Sequence, residues 1–379
     1  MRRVALERAS CSTAVPSTSA AIQTAGQPAA SGPGRFAARL VQWQRTHGRH
    51  DLPWQGRDVY HVWLSEIMLQ QTQVAVVIGY YTRFIARFPT VQALAAAPQD
   101  AVLAAWSGLG YYQRARNLQR CAQLVVQQYG GEFPRSAREL AELPGIGPST
   151  AAAIAAFCFG ERAAILDGNV QRVLCRSHGV ADPLPGAAAT RKLRALAQAL
   201  LPQSADIAAY TQGLMDLGAT VCKPRQPLCA QCPFGTDCRA RSSGDPQRLP
   251  QRKPKAAARR QRHTVMLWLR HRADGTLWLQ RRPPQGIWPG LWSLPEFASA
   301  QQAVEFAARL GRVVAQRELP AFAHAFTHFD LTAQPLQIDL DPAPLAAEPH
   351  GRWVAPTAAA DLGLPAPVRA LLQRHTAPG

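Results

Sequence analysis

The sequence predicts a mainly α-helical region followed by a smaller α+β domain. Three observations carry that expectation. From Phe36 to about Arg239, apolar residues recur at helical spacing and no strand-rich stretch interrupts them. After His263 the pattern changes to short apolar runs, with TVMLWLR and TLWLQRR separated by a turn at ADG. A chain of 379 residues also exceeds what one ordinary core organises, so two domains are the natural division.

Residues 1–34 are dominated by Ala, Ser, Thr, Pro and Gly and lack the bulky apolar residues that offset ordering entropy, which predicts a disordered tail. The opening MRRVALER has the basic character of a transit peptide but no secretory apolar core. A cytoplasmic, bacterial protein is the expectation. Helices follow in DVYHVWLSEIML, where Asp58 is a cap, and in QVAVVIGYYTRFIARF. Further helices, punctuated by Pro98, Gly108 and Gly110, lead to TRKLRALAQALLP and DIAAYTQGLMDLGATVC. In the second domain a hairpin precedes a helix at AQQAVEFAARL, strands at AFAHAFTHFDL and LQIDL, and a last helix at APVRALLQRH.

The net charge is +18, from 42 Lys and Arg against 24 Asp and Glu, which favours a polyanionic partner. No apolar run approaches the roughly 20 residues that span a bilayer, so no membrane is expected. Basic residues concentrate between Arg239 and Arg272, with Lys253, Lys255, Arg259, Arg260 and Arg262 in an apolar-poor stretch. Residues 242–262 are therefore read as a basic linker that also faces nucleic acid.

Three local patterns carry chemistry. In LPGIGPSTA, Gly145 and Gly147 make a bare turn that opens a helix at Pro148 and Ser149. Such a turn is a tight helix–helix connection, and it also aims backbone N–H groups at a phosphate. Cys222, Cys229, Cys232 and Cys238 form a compact C-x6-C-x2-C-x5-C cluster. In a cytosolic protein that is a metal set rather than a disulfide framework, and four thiolates suit either zinc or an iron–sulfur cluster. The single large loop lacks the two matched C-x2-C arms of zinc knuckles, which favours one 4Fe-4S cluster. The other cysteines, Cys11, Cys121, Cys158 and Cys175, are scattered.

Glu66 and Asp167 complete the chemistry. Glu66 lies among Trp63, Leu64, Ile67, Met68 and Leu69, surroundings that raise a carboxyl pKa and fit a general acid. Asp167 lies where an apolar run meets a helix; it suits a helix cap, and as an ionised partner it would complete an acid and charge-stabiliser pair for breaking a glycosidic bond.

The hairpin LPGIGPSTA, the LDGNV loop and the four-cysteine spacing together resemble the helix–hairpin–helix superfamily of base-excision DNA glycosylases. Within it, LPW, WLSEIMLQQTQV, GLGYYQRARNL, MDLGATVC, QRRPPQGIWPGLWSLPEF and AFTHFDL resemble the MutY family of adenine DNA glycosylases, over nearly the whole chain outside the tail. The resemblance implies a mainly α-helical helix–hairpin–helix glycosylase region with an iron–sulfur cluster loop over 35–241. An α+β Nudix-like lesion-recognition domain would then span 263–376.

The resemblance also implies a monomeric, monofunctional enzyme acting on double-stranded DNA. It would excise adenine opposite 8-oxoguanine or guanine, leave an abasic site and so prevent G:C to T:A transversions. Glu66 would protonate the adenine at N7, Asp167 would stabilise the sugar cation electrostatically or by transient capture, and Asn169 would support Asp167. Gln70, Gln71, Thr72, Leu109 and Tyr111 match positions that fill or wedge the duplex, and Gly145, Gly147 and Ser149 match the hairpin that binds it. Gln212 matches a pocket position. Phe326, Thr327 and His328 match the lesion-reading loop, with Thr327 where the family has serine.

Two other activities are disfavoured. Nudix hydrolysis needs a cluster of glutamates, and SLPEFASAQQAVEFAARL offers only Glu296 and Glu305. An endonuclease III-like lyase needs a lysine nucleophile where this chain has Ser149, and reads V-D-T-H where this chain has Leu166, Asp167, Gly168 and Asn169.

Overall fold

The computed structural model describes residues 32–251, 259–326, 329–343, 351–359 and 361–376. Most of the predicted tail lies outside them, as do Cys11, Lys253, Lys255, Thr327 and His328. The helical region comprises α1 (Pro33–His47), α2 (Val59–Leu69), α3 (Val74–Arg87), α4 (Val91–Ala96), α5 (Gln99–Trp106) and α6 (Gln113–Tyr129). It continues with α7 (Ala137–Leu140), α8 (Pro148–Phe159), α9 (Gly168–His178), α10 (Ala187–Ala199), α11 (Ile207–Asp216) and α12 (Arg239–Ser242). The first helix starts inside the segment read as tail, because Pro33 at its first turn has the fixed φ a helix start needs.

Two apolar clusters hold this region. One is built around Trp63, Phe84, Trp106 and Leu118. The other joins Leu40, Ile165, Val173, Leu193, Tyr210 and Leu217. The alanines of α8 divide their burial between the two, Ala151 and Ala155 on one side and Ala152, Ala153 and Ala156 on the other. Small side chains let the helix sit between both cores, so the alanine run is a packing device.

The second domain comprises β1 (Arg260–His271), β2 (Leu277–Arg281), β3 (Trp292–Ser293), β4 (Glu296–Phe297), α13 (Ala300–Leu310), β5 (Gly311–Glu318), β6 (Phe322–Ala325), β7 (Phe329–Pro342), β8 (Gly351–Val354), α14 (Pro356–Ala359) and α15 (Ala366–Thr376). The predicted hairpin forms, with Arg270 opposite Leu277. The centre of the sheet is a long parallel pairing of β1 with β7, from Arg260 opposite Phe329 to His271 opposite Leu340. Met266, Trp268 and Leu331 belong to the cluster shared with the helical region, while Leu267, Leu269 and Leu340 pack with Phe306 of α13. A strand covered on both faces reads as an unbroken apolar run, as Val265–Leu269 of β1 does, while its first four residues are polar and exposed.

The predicted linker 242–262 is shorter than expected. α12 ends at Ser242, a 3-10 turn occupies Pro246–Arg248, and β1 already begins at Arg260. Within the segment read as a nucleic-acid strap, Arg259 pairs with Asp330 and Arg262 with Glu296. Their charges are partly answered inside the protein.

Candidate active site

α2 brings Glu66 to the site. Asp58 caps it by accepting from the His61 N–H at 3.1 Å, and the helix buries nearly every residue from Tyr60 to Met68. Glu66 is only partly accessible as a residue, and its carboxyl is enclosed. Burial, and then the neighbouring Asp167 carboxylate, push its pKa up to about 8. Asp167 caps α9 by accepting from the Val170 N–H at 2.7 Å. Burial raises its pKa, while the N–H groups of Val170 and Asn169 and the nearby Arg172 pull it back. Both carboxyls are thus held above their ordinary range, and Glu66 keeps its proton near neutrality.

The hairpin joins this pair to the surface. Gly147 caps α8 with Pro148 in its first turn, and a Cβ built at Gly147 would meet nothing within 4 Å, so the turn is open on that side. Gly145 has φ +82°, and a Cβ there would lie 2.9 Å from the Asn117 Cβ. Conformation and space both demand glycine at that position. The Ser149 Oγ accepts from the Leu166 N–H at 3.0 Å, tying the hairpin to the aspartate loop. Gln70 Nε2 donates to the Gly145 carbonyl and to Thr150 Oγ1, both at 3.3 Å.

Arg114, which no sequence pattern singles out, braces the two segments expected to meet the duplex. Its guanidinium donates to the carbonyls of Ile67 (3.1 Å), Met68 (2.9 Å) and Gln70 (2.5 Å), and to those of Leu109 (3.1 Å) and Gly110 (3.3 Å). It also donates to Thr72 Oγ1 at 3.1 Å and lies over the Trp106 and Tyr111 rings. The segments so held contain Gln71 at φ +59° and Tyr111 at φ +47°, left-handed conformations that cost a side-chain-bearing residue energy. Gln71 is exposed and Tyr111 is 53% exposed. Leu109 differs from its expected place beside the duplex. It is buried in the core, and it offers the loop its carbonyl.

Two other buried arginines escape a reading of the sequence. On α9, Arg172 donates to Asn169 Oδ1 (2.8 Å), the Gly218 carbonyl (2.6 Å) and the Cys222 carbonyl (2.7 Å). One turn on, Arg176 donates to the carbonyls of Leu249, Lys223 and Pro224, and the Cys238 thiol donates to the Arg176 carbonyl. Asn169 thus reaches Asp167 through its backbone, while its side chain is engaged with Arg172. Gln212 donates to Asp216 at 2.8 Å, and buried Asp216 is paired with Arg49 at 2.6 Å. No local pattern marks the two arginines, because α9 reads GNVQRVLCRSH, an ordinary amphipathic helix, and only the fold shows that they are buried.

Cys222 follows a π-helical turn at Leu217–Val221 that continues α11. The four cysteines are free thiols and border one small cavity with Arg176 and Arg241. Among the described residues, no group of three or more His, Cys, Asp or Glu converges to hold a single metal ion.

A cleft of about 720 Å3 opens between the hairpin side, with Gln70, Gln71, Tyr111 and Gly145, and the second domain, with Trp288, His324 and Phe326. Those last three rings contact one another, with centroids 4.7 to 5.5 Å apart. Glu296 is held by Arg282 and Arg262, and Glu305 accepts from Gln301, so these two glutamates do not form an acidic cluster.

The hairpin is thus tied to the loop that carries one member of a buried carboxyl pair. A profile of the HhH-GPD superfamily base excision DNA repair proteins matches residues 64–215, and a NUDIX domain profile matches 265–374. The adenine DNA glycosylase of Buchnera aphidicola from Acyrthosiphon pisum is 34% identical over 89% of this chain and 97% of its own. That of Homo sapiens is 35% identical over 84% of this chain and 70% of its own. Among solved structures, a thermostable thymine-DNA glycosylase aligns with a TM-score of 0.49 at 29% identity, covering 55% of this chain and 95% of its own. This chain belongs to the adenine DNA glycosylase family.

Proposed function

We propose that this protein excises adenine opposite 8-oxoguanine or guanine in double-stranded DNA, as a monomeric, monofunctional glycosylase. The observation that carries the reading is the buried carboxyl pair, Glu66 holding its proton near neutrality with Asp167 beside it, whose loop is tied to the glycine hairpin. The adenine leaves the stack to enter the site. Glu66 gives its proton to N7, the C1′–N9 bond breaks with its electron pair going to the base, and Asp167 stabilises the positive sugar. Water then adds at C1′ and gives up a proton that restores the Glu66 carboxyl, leaving free adenine and an abasic site. Gln212, held by Asp216 and through it by Arg49, is the proposed contact to the base, and Asn169 steadies Asp167 through its N–H.

Phe326 of the aromatic cluster, with Thr327 and His328, is the proposed reader of the base opposite adenine. A cytoplasmic site of action fits this reading, and among the described residues no helix is long and apolar enough to cross a membrane.

Cys222, Cys229, Cys232 and Cys238 are the proposed holders of one 4Fe-4S cluster. Burial first, and then its three cysteine neighbours, push the Cys232 thiol up to about 12, so this thiol ionises only against a cation. All four cysteines line one small cavity, which suits four thiolates holding a single group between them. When bound, the cluster stiffens the loop and supplies no step of base release. Purified anaerobically, the protein should be coloured and contain iron; a folded sample containing only zinc would overturn this assignment.

Single-turnover base release tests the whole reading. Adenine opposite 8-oxoguanine should be excised and oxidised pyrimidine should not. Because Ser149 is occupied by the Leu166 N–H and no lysine stands in its place, the strand should remain intact until alkali or heat is applied. Strand cleavage at neutral pH, keeping pace with base loss, would favour a lyase.

A further inference from the structure

The loop Ser107–Tyr112 is held from two sides. Arg114 grips it from the helical region through the Leu109 and Gly110 carbonyls. The second domain grips it from the other side. The Leu364 carbonyl accepts from the Ser107 hydroxyl at 2.7 Å and from the Tyr112 hydroxyl at 3.1 Å. Arg369 on α15 donates to Ser107 Oγ at 3.0 Å and to the Leu362 carbonyl at 2.8 Å, closing the loop and the segment into one network. Between these carbonyls Gly363 lies so close to α5 that a Cβ there would fall 2.6 Å from the Leu103 Cβ. Tyr111, at the exposed tip, is thus flanked by residues with almost no freedom.

The docking continues beyond the loop. Arg116 donates to the Pro289 carbonyl at 2.7 Å, and Asp100 at the start of α5 accepts from Arg281 at 3.0 Å and from the Trp292 ring N–H at 3.2 Å. These contacts come from the Leu362–Arg369 segment and from Arg281, Pro289 and Trp292. Phe326, by contrast, faces Tyr111 across the cleft.

We propose that the second domain has a further role, in which its Leu362–Arg369 segment holds the Ser107–Tyr112 loop in its left-handed shape and presents Tyr111 to the duplex whatever base lies opposite the adenine. Ser107, Tyr112 and Arg369 are positioning residues for base extrusion. This rests on the reading that the protein acts on adenine taken out of a duplex.

The test uses the full chain with Arg369→Met, Ser107→Ala and Tyr112→Phe. 2-Aminopurine replaces the target adenine to report unstacking, and single-turnover excision is measured opposite 8-oxoguanine and opposite guanine. Each variant should unstack less of the probe and excise from both mispairs more slowly by the same factor. The Arg369 variant should lose roughly tenfold, the effect of one charge-assisted hydrogen bond. The loss should shrink for adenine placed opposite an abasic site, where extrusion costs less. Tyr112→Phe removes only a hydroxyl, so it tests the loop even if the larger change destabilises the fold.

Unchanged unstacking and rates in folded variants would overturn the proposal. So would a loss confined to the 8-oxoguanine mispair, which would assign this segment to lesion reading. A native enzyme that releases no adenine would instead overturn the underlying reading of function.

Discussion

Glu66→Gln should lower the single-turnover excision rate by about a hundredfold or more, the scale of a lost general acid. DNA affinity at fixed salt should change little, because the carboxyl is enclosed and faces the base rather than the phosphates. The native enzyme should also lose activity as pH rises past about 8, where Glu66 gives up its proton. The linked effect on stability has a definite sign. The folded protein holds this proton more tightly than the unfolded chain, whose carboxyl titrates near 4.5, so Glu66 makes the fold less stable as pH rises from there to about 8. The Gln variant should be flatter across that window in thermal unfolding. Near-native excision by Glu66→Gln would remove this residue from the chemistry.

The second large effect concerns recognition. Thr327→Ala with His328→Ala should narrow the preference for 8-oxoguanine over guanine by roughly ten- to hundredfold, since one good polar contact to a base contributes about 1–3 kcal/mol. Excision opposite guanine should persist in this double variant. Deleting everything after Arg262 should weaken the preference too, and should also slow both reactions, because it takes Leu364 and Arg369 away from the wedge loop. Binding and rate must be compared at one salt concentration, as phosphate contacts make affinity salt-dependent. A truncated but folded enzyme that keeps the full preference would place lesion reading in the helical region.

The residues legible in the sequence are those whose local surroundings already state a conflict. Glu66 is a charge among Trp63, Leu64, Ile67 and Met68, and Gly145 and Gly147 are bare backbone before an apolar helix. The four cysteines declare themselves by spacing. What escapes depends on partners distant in the chain. Arg114, Arg172 and Arg176 answer backbone carbonyls, and no pattern in a sequence marks which carbonyls a fold leaves convergent. β5 is hidden because its residues GRVVAQRE are mostly exposed and carry no alternation to read. The pairing of β1 with β7 joins residues whose intervening chain contains a helix and five strands, and it sets the end of the linker earlier than charge alone implies.

Gln71 and Tyr111 take their left-handed shapes before any duplex arrives, each at about 1–3 kcal/mol, and Arg114 offsets that cost during folding. Little remains for the protein to rearrange at encounter, so the hesitation of each meeting falls on the DNA. With Gln71 and Tyr111 in their proposed place at the duplex, a well-stacked pair would resist the two side chains and a mismatched pair would yield sooner. The first sieve in the search is then the mechanical softness of the duplex, applied before any functional group of a base has been read.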